Sequence, residues 1–254
     1  MTTMLQETRD GDVAILTLDY PARRNALAMP MRTALIEAFN RLEGERSLRA
    51  IVVTGGGGHF CAGGDISGMD SRDFPAGRER FRITHRLVRG MIECAKPIIA
   101  AVEGWAVGAG LGLALCCDTV VASEDAKFMA GFGKVGLVAD FGLLHTLPLR
   151  IGQGRARQML IHGTQVDAVK AEAIGLIDNL APVGGALARA LELAHALSAT
   201  APVPIAMTKS YLAQGLGDAL EWERNMQSTL FLTADHLEGR TAFMEKRKPV
   251  FKGN

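Results

Sequence analysis

The stretch Pro97–Ser123, PIIAAVEGWAVGAGLGLALCCDTVVAS, decides the architecture. Ile98 to Val102 is a β-branched, apolar run that suits a buried strand. Gly104 interrupts it, and Gly108, Gly110 and Gly112 follow at spacing two. An apolar helical run continues to Cys117, and Asp118 opens a second strand over 119–122. Strand, glycine turn, buried helix, strand is the pattern of a mixed β/α core. A helix that begins at glycines points free N–H groups outward, with the positive end of its dipole behind them, and so offers a place for a negative oxygen. Two plainer readings compete. The run 98–117 is long enough to span a bilayer, and Gly104, Gly108 and Gly112 fit the small-residue motif of membrane helices, although Glu103 and the crowded glycines argue against it. The other is a tightly packed core helix with no chemistry.

The chain has 254 residues, 48% of them hydrophobic, and a net charge of +1. That is enough for a large core, and it gives no electrostatic case for nucleic acid or an anionic membrane. Few aromatics argue against base-stacking surfaces. The opening MTTMLQETRD is polar with no apolar signal core, so a cytoplasmic, soluble protein is expected. Cys61, Cys94, Cys116 and Cys117 form no C-x-x-C pair and read as buried thiols. The six histidines show no metal spacing, so no metal is expected.

Further strands are expected at 13–18, 50–54, 126–130 and 175–180. Helices are expected from Pro30, with Met31, Leu35, Ala38 and Leu42 on one face, and over 76–95, 153–161, 164–174 and 184–199. In the 76–95 helix Phe81, Thr84, Val88, Met91 and Ile92 share a face opposite Arg78, Arg82, Arg86 and Arg89. That basic face is either solvated or a contact for phosphates or another subunit. Past 181 the pattern is helical only, over 202–214, 218–233 and 235–246. The natural division is a β/α core at 1–198 and a helical region at 199–254. The glycines around 55–64 let the backbone approach a ligand closely, but no phosphate-loop motif is present.

Three segments together resemble the crotonase, or enoyl-CoA hydratase/isomerase, superfamily: FCAGGDI (60–66), KPIIAAVEGWAVGAGLGLALCCD (96–118) and TAFMEKRKPVFKG (241–253). The resemblance covers nearly the whole chain. It implies an α/β fold, a spiral of ββα repeats with a C-terminal helical trimerisation region. It implies homotrimers or dimers of trimers, and an acyl-CoA thioester as substrate with no separate cofactor. By motif position, the backbone N–H groups of Gly64 and Ala109 become the oxyanion donors, with alanine where the family usually has glycine. Ala62, Asp65 and Ile66 would border the CoA. Arg24 stands where the family has a basic residue near the phosphates, and Phe243 and Lys246 would approach the nucleotide end. Asp65 equally reads as a local backbone cap.

The chain departs from a family hydratase at the two glutamates, whose positions fall on Gly112 and Phe132. Neither can transfer a proton. Asp140 lies where several isomerases of the superfamily carry a catalytic acid. One carboxylate beside an oxyanion hole can move a double bond through an enolate, with Phe132 keeping water out. Asp140 reads alternatively as the N-cap of a helix at 141–148, or as a nucleophile as in the superfamily's aryl-CoA dehalogenases. His145 could face the site or be structural. The leading expectation is an enoyl-CoA isomerase. The alternatives are an enoyl-CoA hydratase with an atypical acid set and a non-catalytic CoA-binding scaffold. The acyl group depends on a pocket shaped by residues 67–95.

Overall fold

The computed structural model describes residues 4–69 and 73–254. The chain runs β1 (Leu5–Asp10), β2 (Val13–Leu18), α1 (Met29–Glu43), β3 (Ala50–Gly55), α2 (Phe74–Ile92), β4 (Ile98–Val102), β5 (Trp105–Val107), α3 (Ala109–Leu115), β6 (Thr119–Ser123) and β7 (Lys127–Met129). It continues through α4 (Leu143–His162), β8 (Val166–Asp167), α5 (Ala168–Ala173), β9 (Asn179–Ala181), α6 (Ala186–Ala196), α7 (Pro202–Leu212), α8 (Leu216–Leu230) and α9 (Ala234–Met244). The main sheet has the order β1-β2-β3-β4-β6-β9, and a smaller one has the order β5-β7-β8. In the main sheet only the β1–β2 hairpin is antiparallel.

Alternation along the strands sorts the core onto two faces. Ile51 and Val53 of β3, with Ile98, Ala100 and Val102 of β4, face the larger cluster formed with α1, α2 and α3. Ala50, Val52, Ile99 and Ala101 face α6. There Ala186, Ala190 and Ala194 form a stripe of small residues that lets the helix lie close on the sheet. Glu103 accepts from the N–H groups of Gly184 and Ala186 at 3.2 and 3.0 Å and so fixes the start of α6. Asp118 accepts from Ile98 N at 2.7 Å and from the buried Lys209 ammonium of α7, which ties the C-terminal helices to β4.

Several expectations shift. The run 98–117 is two strands and a seven-residue helix, and among the described residues no helix is long and apolar enough to cross a membrane. Strand β1 was not expected, because LQETRD is a polar edge that buries only Leu5. Nor was β5, which is three residues long. The segment 164–174 opens as β8 and becomes helical only at Ala168, where Asp167 accepts from Lys170 N at 2.8 Å. The strand expected at 175–180 forms at 179–181. Helix α2 buries Phe81, Thr84, Val88 and Met91 as its periodicity requires. Of its arginines, Arg82 pairs with Glu79 one turn earlier and Arg89 with Glu93 just past the helix end, while Arg78 reaches Asn225 and Glu221 on α8. All four cysteines are buried free thiols.

One buried side chain holds the two loops that precede the site. Asn25 is left-handed at φ 58°, a conformation asparagine tolerates. Its Oδ1 accepts from Tyr20 N at 2.9 Å, and its Nδ2 donates to Gly56 O and His59 O at 2.8 and 2.7 Å. Asn25→Ala leaves all three backbone groups without this partner, at about 1 kcal/mol or more each. A melting temperature lower by about 6–12 °C is expected, since each kcal/mol is worth roughly 2–4 °C at this chain length. A change within about 2 °C in scanning calorimetry would contradict the role.

Candidate active site

Residues 60–64 run beside β5. Cys61 N donates to Trp105 O at 2.9 Å and Val107 N to Cys61 O at 3.0 Å, a parallel bridge centred on Cys61 and Ala106. Three residues further along each segment come Gly64 and Ala109, just behind the positive-φ residues Gly63 and Gly108. Gly63 has φ +105°, and a Cβ there would sit 2.8 Å from Val107 O and 3.8 Å from Ala109 N. A Cβ at Gly110 would sit 2.3 Å from Cys61 O, so glycine lets the first turn of α3 rest directly on this ribbon. Ala109 is the first residue of α3, with ordinary helical geometry, so alanine fits where glycine is usual. Among the described residues neither Gly64 N nor Ala109 N donates to a backbone carbonyl. Both residues line one cavity of about 390 Å³. Helix α3 is only two turns long, so its dipole adds little to what the N–H groups offer.

Asp140 lines the same cavity and is 4% exposed. It does not cap a helix with its side chain. Helix α4 starts at Leu143 behind Gly142, and only the Asp140 main-chain carbonyl takes part, accepting from Leu143 N at 3.1 Å. Asp140 Oδ2 accepts from Gln227 Nε2 at 3.2 Å, while Oδ1 has no protein partner among the described residues. Burial and the nearby Glu223 carboxylate push the Asp140 pKa up to about 7, against the opposing pull of Arg32 and Arg80.

The groups behind Asp140 were not singled out in the sequence. Glu223 of α8 is 1% exposed and accepts from Phe141 N at 3.0 Å, Gly142 N at 2.9 Å and the His85 ring at 2.7 Å. Arg32 of α1, also 1% exposed, donates to Leu27 O at 3.0 Å and to Thr84, and lies 5.7 Å from the Phe141 ring centre. Burial lowers its pKa to about 10, which leaves it cationic at neutral pH. Each is a polar residue on an otherwise apolar helical stripe: Arg32 with Leu35, Ile36 and Phe39, and Glu223 and Gln227 with Leu216 and Leu220. That pattern was the available signal.

Of the expected site residues, Arg24, Ala62, Gly64, Asp65, Ile66, Ala109, Phe132, Asp140 and Phe243 all line the cavity. Lys246 does not. It is exposed and left-handed at φ 57°, beyond the end of α9, whose Phe243 and Met244 reach the cavity. The Asp65 carboxylate caps locally, accepting from Ser67 N and Oγ at 3.1 and 2.6 Å. His145 lies in α4 against Gly215, outside the cavity lining. Among the lining residues Met69, Phe132, Val135 and Leu137 form one apolar cluster with Phe81 and Phe231. Residues 70–72 of the segment expected to shape it lie outside the described residues. At the first glutamate position there is no room for a side chain. A Cβ on Gly112 would lie 2.8 Å from Phe141 Cβ and 3.4 Å from Asp140 O. At the second, the Phe132 ring edge stands 3.7 Å from where a Gly108 Cβ would be.

With this geometry in place, comparison with known proteins locates the chain. The family model described as enoyl-CoA hydratase/isomerase matches residues 8–254. A putative enoyl-CoA hydratase of Thermus thermophilus is 36% identical, over 96% of this chain and 99% of that protein. The 1,2-epoxyphenylacetyl-CoA isomerase of Escherichia coli is 34% identical, over 100% of this chain and 99% of its own. The crystal structure of an enoyl-CoA hydratase from Mycobacterium avium subsp. paratuberculosis superimposes with a TM-score of 0.89 at 30% identity, covering 98% of each chain. Two aligned glycine-rich turns, a buried acid and this shared architecture identify the chain as a member of the enoyl-CoA hydratase/isomerase, or crotonase, family.

Proposed function

We propose that this chain is an enoyl-CoA isomerase that uses Asp140 as its single acid/base. The carrying observation is that Asp140 is the one carboxylate among the described cavity-lining residues not tied up in a local cap. The thioester carbonyl oxygen of a 3-enoyl-CoA accepts from Gly64 N and Ala109 N. As charge develops on that oxygen each donor is worth ~3 kcal/mol of barrier. Asp140 removes a proton from C2, the electron pair moves into a dienolate, and the double bond shifts from C3–C4 to C2–C3 as the same carboxyl returns the proton to C4. No water takes part, in keeping with Phe132 and the apolar lining. A carboxyl with its pKa near 7 exchanges protons with carbon better at neutral pH than an ordinary aspartate.

The CoA portion leaves past Ala62, Asp65 and Ile66, and Arg24, with Arg23 and Lys134 on the same rim, faces its phosphates. The exposed apolar residues of the C-terminal helices, Val203, Met207, Tyr211 and Trp222 among them, suit burial against further copies in a homotrimer or dimer of trimers. The hydratase names of many relatives favour a second reading, hydration of a 2-enoyl-CoA with Asp140 as the only acid. Against it stand Gly112 and Phe132 at the two glutamate positions.

Three outcomes follow. Asp140→Asn is expected to lower kcat/KM on a 3-enoyl-CoA by roughly 10³-fold while CoA affinity, read by calorimetry, holds within about twofold. Unchanged turnover would remove Asp140 from the reaction, and faster turnover of 2-enoyl-CoA with water by the unaltered protein would favour the second reading. The second outcome concerns stability. The Asp140 carboxyl titrates near 7 when folded and near 3.9 when unfolded, so the stability it contributes in acid fades as pH rises from about 4 through about 7. Asp140→Asn should therefore raise the melting temperature more at pH 8 than at pH 5, and an equal difference at both would show that the buried acid does not titrate in this range. Third, Gly112→Glu with Phe132→Glu is expected to overpack the Phe141 contact, cost ~1–3 kcal/mol and gain no hydration. A stable, hydrating double variant would contradict that geometry.

A further inference from the structure

We propose that Glu223 is a positioning residue that fixes the turn presenting Asp140 to the cavity. This rests on the reading of Asp140 as the base. Residues 136–142 lie outside any regular element, and Phe141 and Gly142 are both left-handed, at φ 61° and 71°. Glycine adopts that conformation freely, but a bulky aromatic does not. Consecutive left-handed residues turn their N–H groups to the same side, forming a cradle for an anion. The Glu223 carboxylate occupies it, one oxygen on each N–H, at 3.0 and 2.9 Å. His85 holds the oxygen that faces Phe141, at 2.7 Å.

The consequence reaches Asp140, the next residue along the chain. The Asp140 carboxylate accepts a side-chain hydrogen bond from Gln227. Its backbone is set by the turn that Glu223 grips. Glu223 does not line the cavity, so it acts through Asp140 and not on substrate. The groups bearing on Asp140 are Arg32 from α1, Arg80 and His85 from α2, and Glu223 and Gln227 from α8, with the neutral Cys116 thiol just past α3 3.7 Å from Phe141 O. Of the charged ones, Glu223 is the group of like sign. Its charge works against ionisation of Asp140, whereas the two arginines favour it. Glu223 thus combines two effects that can be separated: a geometric grip on the turn and a repulsive charge.

The test measures pH profiles of kcat and kcat/KM on a 3-enoyl-CoA for the unaltered protein, Glu223→Gln, Glu223→Asp and Asp140→Asn. Glu223→Gln removes the charge and sets an NH₂ against one backbone N–H. It is expected to lower kcat about tenfold or more, to leave KM within about twofold, and to move the acid limb of kcat/KM down by roughly half a pH unit or more. Glu223→Asp keeps the charge but withdraws the carboxylate. It is expected to lower kcat with the acid limb unmoved. A variant that retains kcat and an unshifted limb in both substitutions would show that Glu223 merely packs α8, and overturns the proposal. Should Glu223→Gln fail to fold, Glu223→Asp decides alone, and wild-type kcat in that variant overturns it. Activity retained in Asp140→Asn instead overturns the reading of Asp140, which separates the two failures.

Discussion

Two main-chain hydrogen bonds, Cys61 N to Trp105 O and Val107 N to Cys61 O, hold the 60–64 ribbon level with β5. Everything that makes this chain a candidate catalyst is downstream of that register. A slip by one residue would carry Gly64 past Ala109 and turn one of the two amides away. The constraint is enforced by backbone proximity. A side chain at Gly63 would meet Val107 O, and one at Gly110 would meet Cys61 O. The larger sheet, with β3 and β4 buried on both faces, supplies the stiffness on which this small junction rests. Asn25 ties the preceding loops to it from the other side.

Placing charge in that core is costly. Asp140, Glu223 and Arg32 are all nearly inaccessible, and isolated buried ions of this kind cost several kcal/mol each. The chain offsets that cost by grouping them. Glu223 takes two backbone N–H groups and the His85 ring. Arg32 takes a backbone carbonyl, the Thr84 hydroxyl and the face of Phe141. Among the described residues, Asp140 Oδ1 and the Oε1 of its neighbour Gln227 are left without a protein partner. Buried titratable groups with this kind of partly open hydrogen bonding concentrate at functional sites.

Much of this was legible before the structure. The strands at 13–18 and 50–54, the glycine-rich junction and the site residues from Arg24 to Asp140 follow from apolar runs, glycine placement and motif resemblance. What escaped has physical reasons. Strand β5 is too short to show a period, and β1 is an edge whose residues face water. The supporting network is contributed by α1, α2 and α8, which are distant in sequence, so no local spacing brings Arg32, His85 and Glu223 together. Each nevertheless left a trace as a polar residue on an apolar stripe. The sequence admits Asp140 as base, nucleophile or helix cap, and the position of Gly142 at the start of α4 sets aside only the side-chain cap.

The central claim is that Gly64 N and Ala109 N share one oxygen opposite Asp140. A crystal structure of the protein with a bound 3-enoyl-CoA or an unreactive analogue tests this most directly. The account predicts the thioester oxygen about 3 Å from both amides, with an Asp140 oxygen within reach of C2 and C4. A thioester oxygen that meets neither amide, or an acyl chain that runs away from Asp140, would contradict it.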